Sequence, residues 1–211
     1  TKVLINRLNQ LFERKKMKNQ LSTKEKLVFA MITCIEKYGL KNITTRKIAA
    51  EARINVAAIN YHFGSKDNLL NIALEQTLNE AFVNNVEEHF TDKATYKAFL
   101  EFFEETFTGI INYPNITNAH LDNHSSPKKD QNNIANKFNN FLTDLLVKGN
   151  KNLKAQSEIE KKMSVVQILS AIIFPSLKPH LFESFLEMDF KNPQNVQMYI
   201  NNLLEKNMEK I

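Results

Sequence analysis

The sequence contains one cysteine, Cys34, in 211 residues. No internal disulfide and no cysteine-based zinc site can form from it. Cys34 lies at the apolar centre of a helical pattern, so it reads as a buried small apolar group rather than a redox sensor. Tryptophan is absent, and there are only four glycines and five prolines. An all-β chain needs many tight turns, and those turns need Gly. Their scarcity points to long helices joined by few loops. Long apolar runs are missing too: the longest, near 165–175, is broken by Gln167 and Ser170. It is too short to span a bilayer, and no secretory leader stands out. A cytoplasmic location with no membrane partner is expected.

What is present is apolar enough to fold, at 43% of residues, so disorder is not expected. Charge is unevenly spread. Residues 1–70 hold 14 Lys/Arg against 5 Asp/Glu, whereas residues 71–211 hold 14 against 18. A basic first third on a chain that is otherwise slightly acidic suggests that one end meets a polyanion.

Residues 1–20 read as a basic arm or short amphipathic helix, with Met17 a candidate internal start. Ser22 and Glu25 have the spacing of a capping box. After them, Leu27, Ala30, Met31, Cys34, Ile35 and Tyr38 recur at a helical period up to Gly39. Thr44 is placed to cap a short helix ending near Ala52. Asn55 is placed to cap another over 56–63, which Gly64 ends, and Ser65 caps a fourth helix. Two short helices about three residues apart make a helix-turn-helix pattern. Ala49 is small where those helices would cross, and Ile54, Ile59 and Phe63 face back into a three-helix core.

Longer helices follow. They are expected over about 66–90, over 94–112 up to Pro114, over 128–152, over 158–174 with a stop at Pro175, and over 195–210. Shorter pieces are expected at 116–121 and 180–186, with a loop at 122–127. The fold class is therefore all-α. It divides into the arm at 1–20, a helix-turn-helix domain at 21–68 and a larger helical domain at 69–211.

The segments ITTRKIA (43–49) and AINYHFGSK (58–66), followed by Leu69 and Leu70, resemble the DNA-binding head of the TetR family, named for the tetracycline repressor. The resemblance covers residues 22–74. It implies a DNA-binding transcriptional regulator rather than an enzyme, by default a repressor, with an activator of the same fold as the alternative. The family usually has Gly where Arg53 stands, so Arg53 is expected either to hold a positive φ or to sit slightly rotated within a normal turn.

The N-terminal half of a recognition helix reaches base edges in the major groove. Here that half carries Val56, Ala57 and Ala58, small enough for close approach to thymine methyls, and then Asn60, whose amide suits adenine. Arg46 matches a family position that reaches the groove and suits guanine. Thr45, Tyr61, His62 and Lys66 are the candidate phosphate clamps, which fix register without reading sequence.

The resemblance further implies a homodimer on palindromic double-stranded DNA, released by a small-molecule effector. A shift of the helix over 66–90 would couple the two events. The last two long helices would form the dimer seam, with Val165, Ile168, Leu169, Ile172, Val196, Tyr199, Ile200 and Leu203 as candidates. Phe99, Phe103, Phe107, Phe138, Phe141 and Phe174 offer an apolar lining for a largely apolar ligand, with Tyr113 and His120 as polar partners. No cofactor and no metal is expected. The pair His120 and His124 has metal-ligand spacing, the basis of a rival reading as a metal-binding helical enzyme, but it falls where the helix is expected to end.

Overall fold

The computed structural model describes residues 21–80, 86, 89–90, 95–123 and 131–210. Among them the fold is all helical, and the chain divides into two compact units. Of the described residues, the first takes 21–80 and 113–123, and the second takes 86, 89–90, 95–112 and 132–210. The arm at 1–20, His124 and parts of the expected helix over 66–90 lie outside the described residues.

In the first unit, α1 (Thr23–Tyr38) begins as the capping pattern requires. The Ser22 hydroxyl accepts from the Glu25 N–H at 3.2 Å, and the Glu25 carboxylate accepts from the Ser22 N–H at 2.9 Å. Gly39 ends it at φ 68°. Leu27, Val28, Ala30, Met31, Ile32, Cys34 and Ile35 are all buried, so α1 is wrapped on most of its circumference. Each large side chain among them contributes roughly 1.5–3 kcal/mol by leaving water. Helices α2 (Thr45–Ala52), α3 (Ala57–Phe63) and α4 (Lys66–Leu78) pack around it. Leu69, Ala73 and Leu74 of α4 belong to the same core. The compact unit thus runs on to residue 80, whereas the sequence reading ends the helix-turn-helix domain at 68.

Helix α6 (Pro114–Asn123) also joins this unit. Pro114 both closes the preceding helix and opens this one, since Pro is tolerated in a first turn. The helix runs through Asn123, past the loop start expected at 122. Ile116 and Ala119 enter the α1 core, and Tyr113 packs against it. Glu36 of α1 caps α6 from outside: its carboxylate accepts from the Ile116 N–H at 3.2 Å, and its backbone carbonyl accepts from the Asn115 amide at 2.9 Å. Burial raises the Glu36 carboxyl above the ordinary range, while the backbone N–H groups of Ile116 and Asn115 pull the other way.

The second unit contains α5 (Tyr96–Asn112), α7 (Gln131–Gly149), α8 (Glu158–Leu177), the short α9 (Glu183–Leu186) and α10 (Pro193–Asn207). Helix α5 packs against α8 and α10 through Phe99, Phe102, Phe103 and Phe107. Phe107, Phe190 and Tyr199 form a ring cluster with centroids 4.9–5.6 Å apart.

The expected stop at Pro175 is corrected, because α8 passes through it to Leu177. Proline cannot donate to the carbonyl four residues back, that of Ala171. That acceptor is taken instead by the Tyr199 hydroxyl of α10, at 2.8 Å. A neighbouring helix thus supplies the bond the proline lacks. Tyr199→Phe should leave the Ala171 carbonyl unpaired and lower stability by about 1 kcal/mol. A shift in the denaturant midpoint without a change in its slope would measure this.

Candidate nucleic-acid interface

The turn between α2 and α3 orients the site. Thr44 caps α2, its hydroxyl accepting from the Lys47 N–H at 3.2 Å. At the other end the Ile54 N–H reaches the Ala49 carbonyl at 3.0 Å, and the Arg53 N–H reaches that of Ala50 at 3.1 Å. This pair of bonds is a Schellman motif with Arg53 at the left-handed position, φ 55° and ψ 44°. Of the two conformations left open for Arg53, the positive φ is the one observed. Asn55 then caps α3 through its side chain, which accepts from the Ala57 N–H at 2.9 Å, so the helix begins at Ala57 rather than Val56.

Helix α3 has two faces. Ile59 and Phe63 are buried in the α1 core. Val56, Ala57, Asn60 and Tyr61 are exposed, Tyr61 at 85%, while Ala58 and His62 are half-buried. The His62 ring meets the Tyr61 ring edge-on, with centroids 4.8 Å apart. The outward face is therefore one continuous surface of small apolar, amide and aromatic groups. Arg46 on α2 is exposed, and Thr45 is half-buried at the helix start.

Lys66 opens α4 and turns back toward α2. Its ammonium donates to the Ile43 carbonyl at 3.4 Å, bringing it beside the Thr44–Thr45 corner. Two other cations face inward or are paired. Lys47 donates to the Asn42 carbonyl at 2.9 Å and lies 4.2 Å above the Tyr38 ring. Lys37 pairs with Glu51 at 2.8 Å. Exposed cations on this head therefore differ in availability, which the count of charges alone does not reveal.

The expected sensing and seam residues lie as follows. Phe99, Phe103, Phe107 and Phe141 are buried in the second unit, with Phe138 packed against them. Tyr113 and His120 belong to the other unit. His120 Nε2 lies 2.9 Å from the Thr77 hydroxyl, whose own proton goes to the Leu74 carbonyl, so the imidazole is the donor. His120 therefore fastens α6 to α4. Phe174 is 54% exposed and rests against the Phe182 ring.

Among the proposed seam residues, Val165, Ile168, Leu169, Ile172, Val196 and Ile200 are buried within their own unit, with Tyr199 and Leu203 packed against them. Helix α8 is apolar on its outer face as well, where Ile159, Met163, Val166 and Phe174 are all more than half exposed. The helical period located an apolar stripe but did not say which of two stripes faced the core.

A small apolar cavity in the second unit is lined by Phe99, Phe103, Leu145, Gly149, Leu153, Val165, Ile168 and Met208. It encloses about 10 Å³, roughly the room of one water-sized sphere. Among the described residues, no group of three or more His, Cys, Asp or Glu is placed to hold a metal ion, and no helix is long and apolar enough to cross a membrane.

Taken together, the fold and this surface define an all-helical protein with a helix-turn-helix head and a separate helical body. Residues 27–72 match the family model of bacterial regulatory proteins of the tetR family. Over this head the chain is similar to that family. CecR of Shigella flexneri, an HTH-type transcriptional dual regulator, is 50% identical over 46 residues, 22% of this chain and 20% of that protein. The chain thus matches only about a fifth of the length of that curated relative.

Solved structures extend the likeness over most of the chain. A transcriptional regulator from Rhodococcus sp. Rha1 superposes with a TM-score of 0.69 at 15% identity, covering 88% of this chain and 95% of that one. A TetR regulator from Legionella pneumophila gives 0.67 at 21%, covering 86% and 97%. A putative transcriptional regulator from Saccharomonospora viridis, in complex with choline, gives 0.67 at 15%, covering 88% and 97%. At these identities the shared property is the fold.

Two substitutions separate the roles on this surface. Lys66→Ala should weaken binding to all duplexes alike and make the salt slope shallower by about 1. Asn60→Ala should cost roughly 1–3 kcal/mol at a single base position. Titrations of labelled duplexes at several salt concentrations distinguish the two outcomes.

Proposed function

We propose that this protein is a DNA-binding transcriptional regulator that acts as a homodimer on a palindromic operator. The observation that carries the reading is the outward face of α3. Asn60 and Tyr61 stand exposed on a helix whose opposite face is locked into the α1 core. In this reading Asn60 and Arg46 meet base edges, and Val56, Ala57 and Ala58 lie against the groove floor. Thr45, Tyr61, His62 and Lys66 hold phosphates. The basic first third of the sequence supports the same assignment. Selection of bound sites from random duplexes tests it. A symmetric pair of half-sites, about one helical turn apart or a multiple of it, is expected. Enrichment of no sequence would refute it.

The dimer is assigned to the outer face of α8, replacing the buried residues read from the sequence. Ile159, Met163, Val166 and Phe174 recur there at spacings of three, four and eight, and they would be costly to leave in water. Val166→Glu should shift the protein to monomer at micromolar concentration and abolish half-site cooperativity. Sedimentation velocity reads the first effect directly.

The regulator is assigned as a repressor released by a small, largely apolar ligand taken up in the second unit. The phenylalanines of α5 and α7 and the wholly apolar cavity beside them support that ligand class. The cavity has room for little more than one water-sized sphere, so a ligand would have to part the rings around Phe99 and Phe103. A conformation favoured by the ligand and disfavoured by DNA supplies the coupling. An apolar compound that raises the thermal midpoint should lower operator affinity, and unchanged affinity would overturn the coupling for that compound.

A further inference from the structure

Arg53 combines two features that ordinary packing does not explain. It is a side-chained residue in the left-handed region, where only Gly is free of steric cost, and only Glu187 shares that among the described non-glycine residues. It is also exposed, and among the described residues no hydrogen bond or ion pair engages its guanidinium. The Schellman motif needs only the Arg53 backbone N–H, which Gly would supply with less strain. The nearest acid in sequence, Glu51, is held by both oxygens to Lys37, at 2.8 and 3.0 Å. Nothing in the head therefore uses the charge, although the backbone bears strain to keep a side chain there. Strain that persists at a position with no packing return points to function.

We propose that Arg53 is a phosphate anchor of the DNA-binding head, gripping the backbone beside the entry of α3. This rests on the DNA-binding reading above. Val56 is three steps along the chain from Arg53, so their Cα atoms lie at most about 11 Å apart. The major groove is about 12 Å wide, and phosphates line both of its walls. A helix whose N-terminus enters that groove carries its preceding turn to one wall, and a long flexible cation at that turn spans the remaining distance. The planar guanidinium suits two phosphate oxygens at once. Because the contact is to phosphate, it adds affinity without adding sequence preference.

The test uses the full-length protein and a short mixed-sequence duplex, so no operator need be known. Arg53→Gly should fold with a higher thermal midpoint, since the left-handed strain is relieved, and yet bind DNA more weakly. Its log–log salt slope should be shallower by about 0.9 for each arginine lost. Between about 50 and 200 mM salt, the parent should thus lose a further factor of about 3.5 in affinity per Arg53 contact. Arg53→Lys should keep the parent's slope, and Arg53→Asn, which tolerates the same backbone, should behave like Arg53→Gly. Unchanged affinity and slope in the Gly and Asn variants would overturn the anchor while leaving the DNA-binding reading intact. A changed preference among sequences would also overturn it, because that reports a base contact. If the parent itself shows no salt-dependent binding, both readings fall together.

Discussion

Helix α1 buries seven side chains, from Leu27 to Ile35, and the first unit is organised around that burial. A helix apolar on most of its circumference needs neighbours on nearly every side. Helices α2, α3, α4 and α6 supply them, through Ile48, Ile59, Phe63, Leu69, Leu74 and Ile116. Once Ile59 and Phe63 are committed inward, the 100° step of the helix leaves no choice about Asn60 and Tyr61. They must face water or a ligand. The exposed face of α3 is therefore a consequence of core packing one residue away. The same burial draws the Glu36 carboxylate close to the start of α6, where it caps a helix distant in sequence.

Two places break a local backbone rule, and they are resolved differently. At Pro175 the missing donor is replaced from outside, by the Tyr199 hydroxyl of α10. The helix continues, and two helices of the second unit are tied together at that point. At Arg53 nothing replaces what Gly would have provided. The turn keeps both Schellman bonds and tolerates the strain of a left-handed side chain. The first exception is repaired by structure, whereas the second calls for an explanation in function.

The head was legible because its signals are local. Ser22, Thr44, Asn55 and Ser65 each accept a bond from a backbone N–H two or three residues ahead, and Gly39 and Gly64 end helices by conformations intrinsic to glycine. Nothing distant is needed to satisfy them, so a one-dimensional reading finds them. The exposed candidates Arg46, Asn60 and Tyr61 follow from the period once the core residues are known. The positive φ of Arg53 was foreshadowed only by the resemblance, since the family usually has Gly at that position.

The sequence by itself determined that the chain is helical, where the helices of the head begin and end, and which face of α3 turns outward. Only the tertiary structure decided which apolar face of α8 is core, because both faces are apolar and the choice depends on what packs against them. It also placed Tyr113 and His120 with α1 and α4 rather than among the phenylalanines of α5 and α7. Periodicity records that a side chain will be buried; the identity of its neighbour is a property of chain segments far apart in sequence.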